Sequence, residues 1–148
     1  MKKTILILIL LFSIGSYACD CDGVLTVEKA YKQSEKVFTG KIISVKPYNS
    51  KIYENGDETV EEYSTVSVKI EITSLFKGQS KNTIEIITGI GGGDCGYEFA
   101  IGEEYLIFAY DNGFHTKKDD GILETTICDG NGKVSDRNKW LKYLNELK

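Results

Sequence analysis

The 148-residue chain has one His, one Pro, one Trp and one Met, and no surplus of positive charge. A single His excludes any multi-histidine zinc or catalytic cluster and leaves no pattern for a Ser-His-Asp triad. Lys and Arg number 18 against 22 Asp and Glu, a formal net of −4. That balance argues against a nucleic-acid partner, which calls for a basic face to neutralise phosphates. Scarce proline, with 15 Gly and 9 Tyr, leans toward β structure. At 41% apolar the chain is too hydrophobic for general disorder, and its length fits one domain. With the usual enzyme constellations missing, the chain is expected to be no enzyme and to hold no cofactor of its own.

The one long apolar run opens the chain. Lys2 and Lys3 precede Ile5 to Ile14, which only Ser13 interrupts. The run is about half the ~20 residues that a membrane-spanning helix needs. Ser16 and Ala18 then place small residues at the −3 and −1 positions of a cut after Ala18. Residues 1–18 are therefore expected to be a cleaved export signal, with 19–148 as the mature domain. The signal carries two lysines and no acid, so its removal takes the charge from −4 to −6. The protein is expected to be secreted or held in the cell envelope. Acylation of Cys19, the first mature residue, would make it a lipid-anchored protein, and only then would a membrane be a partner.

All four cysteines, Cys19, Cys21, Cys95 and Cys128, stay in the mature chain. Export puts them in an oxidising compartment. Cys19 with Cys21 would close a tight, strained ring, which leaves two pairings. Either ties the N-terminus to two distant points through loops of roughly 75 and 105 residues. Each closure is worth on the order of 4 kcal/mol by loop entropy. A four-thiolate zinc site is the rival, but it normally needs two C-x2-C-type pairs, and only one close pair exists.

Along the mature chain, Val24 to Lys36 can form a short helix with Thr26 as N-cap and Val27, Ala30 and Tyr31 inward. Val37 to Tyr48 reads as a strand, bent at Gly40 and with its pairing ended by Pro47. Asn49 to Glu62 is acidic, with Asn55-Gly56 as a hairpin turn and Glu54, Asp57, Glu58, Glu61 and Glu62 around its tip. In Ser64 to Leu75, Val66, Val68, Ile70 and Ile72 alternate with Ser67, Lys69 and Glu71, a period of two. Thr83–Thr88, Glu104–Asp111 and Leu123–Cys128 read as further strands, and Phe114–Lys117 as an extension of the pairing. From Ser135, Trp140, Leu141, Leu144 and Leu147 recur at helical spacing. Such strands and two helices suit a small closed β-barrel.

Several tempting motifs lack their chemistry. The glycine cluster Gly89 to Gly96 runs into Asp94-Cys95-Gly96-Tyr97 rather than Gly-Lys-Ser, so it is no phosphate loop. It reads as a tight backbone passage beside a disulfide. His115 lies among Lys117, Lys118 and Asp119 and reads as an exposed loop residue. No glycosidase-like carboxylate pair can be picked out.

The segment that carries chemistry is Cys19-Asp20-Cys21. Cleavage after Ala18 leaves a free α-amine on Cys19, and disulfides at both cysteines would stop the terminus from fraying. The amine nitrogen and the Cys19 carbonyl oxygen then sit side by side and can chelate a metal in another protein. An α-amine titrates near 8, so part of it is neutral at pH 7. Preorganisation lowers the ordering cost of binding.

The C-D-C start, the short helix and Val37-Phe38-Thr39-Gly40-Lys41-Ile42-Ile43-Ser44-Val45 resemble the N-terminal domain of the tissue inhibitors of metalloproteinases. So do Phe76-Lys77-Gly78, the run from Asp94-Cys95-Gly96-Tyr97 to Tyr105-Leu106-Ile107-Phe108-Ala109-Tyr110, and the Leu123-x-Thr125-x-x-Cys128 stretch. The resemblance spans Cys19 to Cys128. It implies a mainly β fold, a five-stranded OB-type (netrin-like) barrel with a short N-terminal and a C-terminal helix. It implies disulfides Cys19–Cys95 and Cys21–Cys128. It implies a monomeric inhibitor whose Cys19 amine and carbonyl bind the catalytic zinc of a metalloprotease, with Asp20 entering the pocket beyond the scissile bond. Animal members of the family have Ser or Thr where this chain has Asp20, and they carry a third disulfide and a second, Cys-rich domain. A carboxylate is poorly matched to an apolar pocket, so a protease with a basic pocket is the better fit. The alternative is a non-inhibitory protein-binding module, disulfide-stapled at the surface or lipid-anchored through Cys19.

Overall fold

The computed structural model of the chain describes residues 19–147 apart from 22, 24, 50–51, 55–56, 60–63, 80–81, 92, 112, 114–115 and 117–120. The expected signal at 1–18, the Asn55-Gly56 turn, Glu61, Glu62, Phe114, His115 and Lys117 lie outside the described residues. Helix α1 is Val27–Gln33, shorter than the expected Val24–Lys36. Thr26 sets its start: the backbone there is extended and Oγ1 accepts the Lys29 N–H at 3.3 Å. Its end is set at Ser34, where the chain becomes extended. The ammonium of Lys77 donates to the carbonyls of Tyr31, Lys32 and Ser34, placing a cation at the negative end of the helix dipole.

The strands are β1 (Lys36–Asn49), β2 (Ile52–Glu54), β3 (Asp57–Thr59), β4 (Ser64–Lys77), β5 (Thr83–Gly89), β6 (Glu104–Ala109), β7 (Leu123–Glu124) and β8 (Gly132–Lys133). A 3-10 turn at Val134–Asp136 leads into helix α2, Asn138–Glu146. Six strands form one sheet in the order β7-β5-β4-β1-β6-β8, and β2 pairs with β3 apart from it. All neighbours run antiparallel except β5 and β7.

The architecture is mainly β with two helices, but the expected five-stranded closed barrel needs correction. The sheet has six strands, and its ladder is not closed from edge to edge. One isolated bridge beyond β6 reaches β7: Tyr110 N–H donates to the Glu124 carbonyl at 2.9 Å and Glu124 N–H returns to the Tyr110 carbonyl at 2.7 Å. Strand β1 shifts register against β4 beside Gly40, the irregularity at which a strand can bend. A Cβ on Gly40 would lie 2.4 Å from Ile70 Cγ2 and 2.8 Å from the Glu71 carbonyl oxygen, so only glycine allows the strands this close.

Three local expectations also change. Pro47 does not end the ladder, because β1 stays paired with β4 out to Asn49↔Ser64. The β1–β6 ladder stops at Lys41↔Glu104, so Pro47 lies where one side of β1 is an edge and a missing N–H is tolerated. The last strand shrinks from Leu123–Cys128 to Leu123–Glu124, because the Thr126 N–H turns to the Asp129 carboxylate at 2.6 Å instead of a ladder. Leu147 lies past the end of α2 and is 47% exposed rather than packed inward.

Strand β6 is buried on both faces and so divides two cores. Tyr105, Ile107 and Ala109 face a cluster with Phe38, Ile42, Val68, Ile70, Ile86 and Phe99. Leu106 and Phe108 face a second cluster with Ala30, Val37 and Leu144, flanked by Leu25, Trp140 and Leu141. The alternation read in β4 supplies Val68 and Ile70 to the first cluster, with Val66 and Ile72 half-buried against it. The helices cover the opposite face of β6.

Candidate functional site

Cys19, Asp20 and Cys21 cross two separate anchors. Cys19 is bonded to Cys95 and Cys21 to Cys128, each pair with Cα atoms 5.4 Å apart. Among the described residues no cysteine is free, so the rival thiolate zinc site has no ligands. Cys19 is half-buried, while Asp20 and Cys21 are exposed. Bonds 76 and 107 residues apart in sequence thus meet within a three-residue segment. The disulfides place the chain outside the reducing cytoplasm.

The Cys95 anchor is the glycine-rich loop after β5. Asp94 organises it: Oδ2 accepts the Ile90 N–H at 2.7 Å, and Oδ1 accepts the Gly91 and Gly96 N–H groups at 2.9 Å each. Cys95 has φ +59°, a left-handed conformation uncommon for a residue with a side chain. The loop folds back so tightly that a Cβ on Gly96 would lie 2.1 Å from the Gly89 carbonyl carbon. Beyond it the Tyr97 N–H donates to the buried Thr88 hydroxyl at 2.9 Å. The cluster is the tight passage beside a disulfide that its glycines suggested.

The Cys128 anchor follows β7 and is held by the buried Thr125 and Asn131, Cys128 itself being half-buried. Thr125 Oγ1 donates to the Phe108 carbonyl at 2.8 Å, and Asn131 Oδ1 accepts the Phe108 N–H at 3.0 Å. Asn131 Nδ2 donates in turn to Thr125 Oγ1 at 2.7 Å and to the Thr126 carbonyl at 2.9 Å. Asp129 Oδ2 accepts from the Thr126 N–H and hydroxyl, and Cys128 N–H donates to Thr126 Oγ1. Burial pushes the Asp129 carboxyl above the ordinary range; the Thr126 and Thr125 hydrogen bonds oppose that rise and the Glu124 charge adds to it. Burial, with a smaller push from Asp129, also raises the Tyr110 phenol. A backbone bond, Ile127 N–H to the Cys95 carbonyl at 2.9 Å, stitches the two anchors together.

The arrangement holds the Cys19-Asp20-Cys21 segment at two points on the surface. Asp20 projects from it between the two staples, and Ile90 and Ile127, beside the respective anchors in sequence, are 56% and 47% exposed. Among the described residues no group of three or more His, Cys, Asp or Glu is placed to hold a metal. Asp94, Asp129 and Asn131 were not singled out from sequence. Asp94 carried a signal, because an Asp between glycines often bonds nearby backbone N–H groups. A scan against protein-family models finds no match for this chain, and a search of curated proteins finds none.

Proposed function

We propose that the mature chain is a secreted inhibitor of zinc metalloproteases that binds through its own N-terminus. Cleavage after Ala18 frees the Cys19 amine, which with the Cys19 carbonyl oxygen would ligate the partner's zinc and displace its water. The observation that carries this reading is the double stapling of Cys19-Asp20-Cys21. A chelating pair held before binding loses little ordering entropy on binding. With the reading goes kinship to the netrin-like OB topology, supported by the Tyr110–Glu124 bridge that links the end of β6 to β7. Asp20 is exposed, so the pocket it enters should present a cation; an apolar pocket would strip its water without replacing it.

The test is to block the amine. Acetylating Cys19, or adding one residue before it, should weaken inhibition by at least about a hundredfold, ~2.8 kcal/mol of binding. Equal inhibition by blocked and free protein would rule out chelation. Intact mass distinguishes the lipid-anchored alternative: a diacylglyceryl group on Cys19 consumes the sulfur that otherwise bonds Cys95, so anchored protein cannot be this inhibitor.

A further inference from the structure

We propose that Asp94 is the positioning residue for this terminus: its carboxylate clamps the loop that carries Cys95 and, through the Cys19–Cys95 bond, fixes where the Cys19 amine and carbonyl point. The functional meaning rests on the inhibitor reading; the clamp itself is a property of the fold. Three backbone N–H groups converge on one carboxylate, two from before Cys95 and one from after it. Hydrogen bonds to an ionised acceptor are about twice as strong as neutral ones. They brace both flanks of a left-handed Cys95, a conformation that persists only when its surroundings hold it.

The loop is built around this carboxylate. A Cβ on Gly89 would lie 2.5 Å from Asp94 Cγ, so the carboxyl group occupies space that only glycine leaves open. A disulfide limits the distance between two Cα atoms but does not fix the loop at its far end. If the Cys95 loop were loose, Cys19 would move with it, and the staple would no longer set the direction of the amine. Asp94 therefore acts on the terminus through two covalently joined residues without touching it.

The test uses the full mature protein and two variants, Asp94→Ala and Asp94→Asn, with both disulfides checked by intact mass. Asn can keep the two bonds of Oδ1 but sets an NH2 group against the Ile90 N–H, so its effect should be graded. In Asp94→Ala, amide exchange at Ile90, Gly91 and Gly96 should accelerate by about tenfold to a hundredfold. The Asp20 and Cys21 backbone should become more mobile with them, read as 15N relaxation, and inhibition should weaken by a comparable factor. Asp94→Asn should fall between, and it decides the matter if the Ala variant does not fold. Backbone 15N relaxation at Asp20 and Cys21 unchanged from wild type in Asp94→Ala, with both disulfides present, overturns the clamp. Wild-type protein that inhibits no zinc protease sinks the inhibitor reading instead, and leaves the exchange and relaxation data to judge Asp94.

Discussion

The two anchors of the Cys19-Asp20-Cys21 segment hold their cysteines by different means. Around Cys128 the holding groups belong to the core: Asn131 is 3% exposed, Thr125 is fully buried, and both bond the backbone of the buried Phe108 near the end of β6. Around Cys95 they belong to the surface. Asp94 accepts from three backbone N–H groups of its own loop, and Ile90 at its edge is exposed. An anchor wired into a core strand can be lost only at the expense of the whole fold. An anchor braced mainly within its own loop, with few bonds beyond it, can loosen locally. The comparison predicts that damage near Cys128 is global and damage near Cys95 is local.

The largest effect should come from Asn131→Ala. It strands the buried Phe108 N–H and removes two donors from Thr125 and Thr126, a loss of about 3 kcal/mol that urea denaturation would register as a lower midpoint. Asn131→Asp retains an acceptor but no donors and should also destabilise the fold. Next comes Gly96→Ala, which forces a methyl group to within 2.1 Å of the Gly89 backbone unless the loop shifts. Overpacking of this kind costs about 2 kcal/mol, and the change in amide exchange should be concentrated at 89–96. If Gly96→Ala instead speeds exchange equally in β1 and β6, the Cys95 anchor is no more local than the other.

What could be read in the sequence follows from which interactions leave a periodic trace. The alternation from Val66 to Ile72 marks a half-buried strand, and it supplies Val68 and Ile70 to the core. Thr26 marks a helix start because an N-cap needs a short oxygen-bearing side chain just before the first turn. Tyr105 to Ala109 were readable as a buried strand, but not as a wall between two cores, since an unbroken apolar run does not show what lies on each side. Cysteine spacing left two pairings open, and family resemblance favoured one. Asn131 and Asp129 were illegible because side-chain bonds to backbone obey no period. The same holds for closure: one bridge at Tyr110 and Glu124 leaves too short a trace to separate an open ladder from a closed barrel.

The smallest effect expected is a pH dependence confined to the Cys128 anchor. Burial raises the Asp129 carboxyl above its ordinary 3.8, so the folded chain binds that proton more tightly than the unfolded one. The stability this contributes is fully present below 3.8 and is lost as pH rises through the folded value. Asp129→Asn cannot titrate and lacks the dependence, while its amide oxygen can still accept from Thr126. Urea midpoints of both proteins between pH 7 and pH 4 isolate the effect from all other carboxylates. Wild type should gain on the variant as pH falls. A constant difference, or a loss by wild type, would mean that Asp129 is not held in a buried network, and the contrast between a core-wired and a loop-braced anchor would lose its clearest electrostatic mark.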